Sequence, residues 1–208
     1  MHVIDAIKNR RSIRQFRAKP VPEELILELL EAANLAPSAT NRQPWEFVVV
    51  QRSYLDRLQH VFEQAMKDRV AEIGEKELGD AIKDLSIPTH QGMDKVKGLE
   101  YFSRTLGGAP LAVVFCIPVV QDPWEWRNSI SSTAAAIENF LLAATSKDLG
   151  TCWLTGPLKT RAKAISSILQ IPRDKEIVAI VAVGFPRLTP KMPPKKELKN
   201  KLTWLGFD

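Results

Sequence analysis

Cysteine and histidine are scarce in this 208-residue sequence, with two of the first and three of the second. Cys116 and Cys152 sit in separate apolar, strand-like runs, form no CxxC pair and stand at no metal-ligand spacing. That excludes a disulfide framework and predicts two buried, reduced thiols. His2, His60 and His90 lie far apart, so no metal centre is expected. No GxGxxG follows a strand, no P-loop signature is present, and no GxSxG nucleophile elbow occurs. Long apolar runs are missing too: none reaches membrane-spanning length, and Met1–Ser12 is half polar, with no signal-like apolar stretch. The expectation is a cytoplasmic protein. An enzyme lacking all these devices would take its hard chemistry from an organic cofactor.

What is present is an ordinary globular composition, with 45% hydrophobic and 25% charged residues. The length suits one domain, or one with a sizeable insertion, and is enough to bury a core without covalent staples. The net charge of +5 is unevenly spread. Residues 1–20 carry +5, residues 185–208 carry +4, and the body between them carries −4. Two readings are open: a pair of solvated basic ends, or two ends that converge on one anion.

Apolar periodicity predicts a short helix over Val3–Arg10 and a second opened by Val21 and Pro22. The second presents Leu25, Leu29, Leu30 and Ala33 and stops near Leu35–Pro37. Trp45–Gln51 reads as a strand, and Tyr54–Ile73 as a helix with Leu55, Leu58, Val61 and Phe62 on one side. Residues 74–108 are polar, carry Pro88 and end in Gly107–Gly108. With 65–73 they read as an insertion containing helix fragments, either a lid or a surface excursion. Leu111–Val120 and Glu176–Gly184 are predicted as buried strands, Thr151–Leu154 as a short strand and Thr160–Leu169 as a helix. Ser131–Lys147 is predicted as a helix apolar nearly all round. The Lys- and Pro-rich tail ends in Leu202, Trp204, Leu205 and Phe207, which call for a surface to pack on, a partner subunit being the natural candidate. Together these predict an α+β fold and a dimer.

Four segments carry candidate chemistry. In Arg10-Arg11-Ser12-Ile13-Arg14-Gln15-Phe16, guanidinium forks and a hydroxyl suit phosphate oxygens. An extended backbone would point Arg10, Ser12 and Arg14 to one side. The run from Ala36 to Trp45, with Pro37, Ser38, Ala39, Thr40, Asn41, Gln43 and Pro44, is a stiffened loop rich in hydrogen-bonding groups. Gly150–Pro157 ends a strand at Thr155-Gly156, where a glycine lets backbone N–H groups approach a flat ligand. Pro193–Leu198 supplies Lys195 and Lys196 beside a rigid turn. Each has a plain structural alternative: a basic helix end, a capped loop, a turn, a solvated tail.

Taken in this order, RRSIRQF, PSATNRQPW, LGTCWLTG and the basic segment near the end resemble the FMN-dependent nitroreductase family. The resemblance spans nearly the whole chain outside residues 65–108. It implies a nitroreductase-like α+β fold: a central, mostly antiparallel sheet wrapped by helices, with a C-terminal extension embracing the partner subunit. It also implies a homodimer with two FMN molecules at its interface. By the same resemblance Arg10, Arg11 and Ser12 would hold the FMN phosphate and ribityl chain, with Lys195 and Lys196 adding cations. That basic tail is displaced one step from the commonest family form, which often has Arg there. Pro37, Ser38, Ala39, Thr40 and Asn41 would come from the opposite subunit to the isoalloxazine, and Gln43 and Leu154 would also border the cofactor. Thr155 and Gly156 would offer backbone N–H groups to N5 and O4, and Arg14 would lie near N1 and O2.

The implied activity is ping-pong transfer of a hydride from NAD(P)H to a small electron-poor acceptor, of nitroaromatic or quinone type. No Asp, Glu or His is assigned a catalytic role. Enone or aldehyde reduction, dehalogenation and oxidation of a bound precursor are alternatives on the same cofactor. A flavin-binding protein without turnover is another. Trp124 and Trp126 could stack on an aromatic substrate or pack in a core or interface. A nucleic-acid binder using the basic ends is disfavoured, because those residues are not interleaved with exposed aromatics.

Overall fold

In the computed structural model, which describes residues 1–89 and 92–206, the four apolar runs pair into one antiparallel sheet. Its strands are β1 (Glu46–Gln51), β2 (Leu111–Pro118), β3 (Gly150–Leu154) and β4 (Lys175–Gly184), in the order β1-β2-β4-β3. β2 and β4 are central and their apolar runs are nearly continuous, so both faces are covered. Alternation divides the core in two. Leu111, Val113 and Phe115, with Ala179, Val181 and Val183, meet Ile26, Leu29 and Ala33 of α2 (Glu23–Asn34) and Ala136, Ile137 and Phe140 of α5 (Pro123–Ser146). Ala112, Val114, Ile180 and Ala182 turn the other way. They meet Leu55, Leu58 and Phe62 of α3 (Ser53–Ile82), Phe102 of α4 (Lys95–Thr105) and Ile165 of α6 (Gly156–Leu169). Phe115 is sandwiched edge-on between Phe47 and Phe140, at ring-centroid distances of 5.3 and 5.7 Å. Burying each such side chain stabilises the fold by about 1.5–3 kcal/mol.

Three helices depart from the sequence reading. α3 does not end at Ile73. It bends at Gly74 (φ +80°, ψ 155°) and resumes to Ile82. Leu78 and Ile82 beyond the bend join Met66 before it, Ile87 and Val96 in a small core of their own, so the described residues of 74–108 are more regular than expected. α5 begins at Pro123, well before Ser131. Asp122 caps it by accepting from the Glu125 N–H at 2.8 Å, and Pro123 takes the first helical position. Nor is α5 buried all round, since Ala134, Ala135, Glu138, Asn139, Leu142 and Ala143 are only half-buried. α6 begins at Gly156 rather than Thr160.

The first short helix, α1 (Val3–Asn9), leaves Val3, Ile4 and Ile7 exposed. Among the described residues beyond β4 the chain is irregular apart from one 3₁₀ turn at Leu198–Lys201. Leu198, Leu202, Trp204 and Leu205 of that tail are exposed, Leu205 to 84%. Phe207, and His90 in the middle of the chain, lie outside the described residues. No helix among the described residues is long and apolar enough to cross a membrane.

Candidate functional site

The segment Arg10–Arg17 leaves α1 and runs extended along the sheet's end. Ser12 forms a parallel bridge with Thr151 of β3 and Phe16 an antiparallel bridge with Pro186 beyond β4. The Ile13 N–H donates to the Thr151 carbonyl, the Phe16 N–H to Gly107, and the Arg17 N–H to Phe185, each at 2.8 Å. The RRSIRQF and GTCWLTG segments are therefore neighbours. Arg11, Ile13 and Arg17 line one cavity, whereas Arg10 turns to α5 and Arg14 to the loop after α3.

Four basic and hydroxyl groups of this segment, Arg10, Arg11, Ser12 and Arg14, are differently placed. Arg10 pairs with Glu138 of α5 at 3.2 Å. Arg11 turns back to the end of α1, where its Nη1 donates to the Lys8 and Arg10 carbonyls, both at 2.7 Å, and its buried Nε finds no partner among the described residues. Half-buried Arg14 donates to the Ser86 carbonyl at 3.1 Å and, more weakly, to Ser12 at 3.4 Å, which links the segment to the loop after α3. The half-buried Ser12 hydroxyl donates to nothing among the described residues.

β3 ends at Leu154, and Thr155 precedes α6 without capping it through its side chain. The N–H groups of Thr155 and Gly156 donate no hydrogen bond among the described residues. Both residues are exposed, and a Cβ added at Gly156 would meet nothing within 4 Å. The strand end thus presents two free backbone donors on open ground.

The loop before β1 lies elsewhere, against the start of α5. Ser38 accepts from the Gln43 N–H at 2.9 Å, the Ala39 N–H reaches Ser132 at 3.4 Å, and Arg42 pairs with Glu125 at 2.9 Å. Thr40, Asn41 and Gln43 all have positive φ, between 48° and 56°. Left-handed non-glycine residues are uncommon, and such strain gathers at functional sites. Pro37, Ala39, Thr40, Asn41 and Gln43 are exposed. Trp124 and Trp126, in the first turns of α5, are exposed as well. Trp124 borders this loop, and Trp126 donates to Glu176 at 2.6 Å. Lys195 and Lys196 are exposed on the tail, without an ion pair among the described residues. Within one chain the first and third segments meet, while the second and fourth face outwards.

A cavity of about 550 Å³, which the sequence reading missed, adjoins the strand end. Leu154, Thr155 and Gly156 line it together with Phe62, Phe102, Leu106 and Trp153. The signal was available: Phe62, Ala65, Met66 and Arg69 on α3, and Leu99, Phe102, Ser103 and Leu106 from α4 onwards, follow the spacing of one helix face. Arg69 and Lys159 both hold Glu72 at this cavity, at 2.9 and 2.6 Å, and keep its carboxyl below the usual carboxylate range. Nearby, Arg161 grips Asp68 with two hydrogen bonds of 2.7 Å and lowers its pKa likewise.

Both cysteines are buried, and burial pushes each thiol up to about 11. At pH 8 neither is a nucleophile. Alkylation by iodoacetamide at that pH should be negligible in the native protein and rapid in denaturant; fast native labelling would contradict the burial. The raised pKa values also set a sign. Their contribution to stability is intact below pH 9 and is lost as pH rises towards 11, because the unfolded chain loses these protons first. Among the described residues no three His, Cys, Asp or Glu side chains are grouped to hold a metal.

Residues 7–185 match the sequence profile of the nitroreductase family. An NADH dehydrogenase of Thermus thermophilus is 32% identical over 185 residues, covering 87% of this chain and 85% of its own length. The iodotyrosine deiodinase of Danio rerio is 28% identical and covers 92% of this chain, which spans 61% of that protein. Among solved structures, an FMN and NADPH-dependent nitroreductase from a Sphigopyxis strain superposes over the full length of both chains. Its TM-score is 0.75 and its identity 19%, a likeness of fold.

Proposed function

The chain belongs to the nitroreductase family, and from that premise we propose that it is a cytoplasmic, homodimeric, FMN-dependent NAD(P)H oxidoreductase acting on small electron-poor acceptors. The observation that carries the reading is the pair of unpartnered N–H groups at Thr155 and Gly156, on open ground beside a strand carrying a row of cations. These residues fit the cofactor. Gly156 lets a planar ring approach the backbone, and the two amide donors can orient its edge without titrating. Arg14 supplies a fixed positive charge from a half-buried position. Ser12 and Arg10 would hold the phosphate, with Lys195 and Lys196 as further cations. Arg11, whose Nη1 is held at the end of α1, would also steady the segment.

Bound FMN supplies hydride chemistry, between a nicotinamide and a nitroaromatic or quinone acceptor. The chain's own part is to bind, orient and supply charge, so no side-chain acid or base is assigned. The strained, exposed loop Pro37–Gln43 would serve the site of the opposite subunit. The exposed apolar residues of α1, Leu35 and the tail would form the contact between subunits. Reductive dehalogenation is the second reading, favoured by the similarity to the deiodinase.

The test is the visible spectrum of the purified protein, before and after anaerobic NADH or NADPH. Two flavin bands that bleach with reductant and return with a quinone are expected. A colourless protein that takes up no added FMN would overturn the proposal.

A further inference from the structure

The cavity beside Leu154–Gly156 has a composition that selects its contents. Its volume of about 550 Å³ suits a small organic molecule. Its wall is apolar, with Phe62, Phe102 and Trp153 set among aliphatic residues such as Leu99 and Leu106. One helical turn beyond Gly156, Lys159 enters the lining, and Arg69 reaches it from α3. The two cations share one carboxylate, Glu72, so this part of the lining holds one positive charge in excess. The neighbouring Asp68–Arg161 pair is neutral as a unit and does not cancel that excess.

We propose that this cavity binds the acceptor, and that the acceptor is an aromatic molecule with an anionic substituent. The ring lies against Phe62, Phe102 and Trp153, and the anion lies between Arg69 and Lys159, in competition with Glu72. This rests on the oxidoreductase reading for what happens to the ligand, but not for its binding. The charge arrangement makes an unusual demand: removing a cation and removing the carboxylate have opposite effects on the same ligand.

Isothermal titration of the protein as purified, with whatever cofactor it carries, tests this with 4-nitrobenzoate against 4-nitrobenzyl alcohol. These probes are similar in size and differ in charge. The wild type should bind the carboxylate about fivefold more tightly, the effect of a partly exposed, charge-assisted contact. Lys159→Gln should abolish that preference, and Glu72→Gln should enlarge it, with the alcohol's affinity unchanged in both. Ser103→Trp, at a half-buried position in the lining, should weaken both probes at least tenfold. Equal binding of the two probes by the wild type would overturn the anionic preference. So would a preference indifferent to Lys159 and Glu72. Unaltered binding by a folded Ser103→Trp protein would overturn the cavity itself. Binding that follows the expected pattern in a protein without flavin or NAD(P)H oxidation would support the cavity and count against the oxidoreductase reading alone.

Discussion

Gly107→Ala is expected to lower the melting temperature by about 10 °C, at roughly 2–4 °C per kcal/mol for a chain of this size. Gly107 has φ +64°, and a Cβ there would lie 2.2 Å from the carbonyl oxygen of Arg14 and 2.7 Å from its carbon. Both are backbone atoms, so no side-chain rotation relieves the contact. The left-handed conformation alone costs an alanine about 1 kcal/mol. The clash must then displace either the turn after α4 or the segment Ser12–Arg17. That segment is held by the Phe16 bond to Gly107 and by its bridges to Thr151 and Pro186. Losing part of that lattice brings the total to about 3–4 kcal/mol. Gly74→Ala is the control: its φ is +80°, but nothing lies within 4 Å of its added Cβ. At φ +80°, ψ 155° it lies in a region almost reserved for glycine, so it should show the conformational cost alone, about 1–3 kcal/mol. Scanning calorimetry of both variants separates the two effects, and equal shifts would show that the Ser12–Arg17 segment yields freely. If the segment rather than the turn yields, Arg14 moves with it, and on the proposed cofactor reading Gly107→Ala should also retain less flavin.

The same close approach marks what the sequence could reveal and what it could not. The strands were legible because β2 and β4 lie between two layers and their residues are apolar almost throughout. The first and third segments could be read as neighbours in function, but not as neighbours in space. Their adjacency depends on Ser12 pairing with Thr151 across 139 positions, and no local pattern encodes that. Gly107 could be read as a loop glycine, whereas its actual constraint is the Arg14 carbonyl.

The missed helices have local causes. The second half of α3 is polar because much of it faces solvent, and Gly74 imitates a terminus while causing only a bend. The start of α5 was written in Asp122-Pro123-Trp124-Glu125, a cap, a first-turn proline and an acid, but the exposed tryptophans broke the apolar period around it. As for the site, residue types suggested anion binding, yet Arg10, Arg11 and Arg14 look interchangeable in the sequence. Only the fold separates an arginine that secures α1 from one beside Glu138 and one bonded to the loop after α3.

On the proposed FMN reading, Arg14→Ala should be the most damaging substitution for cofactor function. Arg14 is half-buried, donates to the Ser86 and Ser12 carbonyls, and lies close enough to Cys152 for its charge to favour the thiolate against burial. Its charge therefore acts with less screening than that of Lys195 or Lys196 on the exposed tail. A charge-assisted contact of this kind contributes about 1.5–3 kcal/mol, so FMN affinity should fall by roughly ten- to a hundredfold. Reduction adds negative charge to the ring system, and a fixed cation stabilises that charge more than it stabilises the oxidised form. The midpoint potential should therefore fall, by about 30 mV for each 1.4 kcal/mol of differential stabilisation in a two-electron couple. Arg14→Lys keeps the charge but loses the fork, and should recover much of the potential but less of the affinity. Flavin content by absorbance and the potential by anaerobic dye equilibration read the two effects separately. If neither changes in Arg14→Ala, the cation that serves the flavin is not Arg14. If affinity falls at constant potential, Arg14 holds the cofactor without tuning it, and the Ser86 bond that fixes its side chain becomes its main structural role.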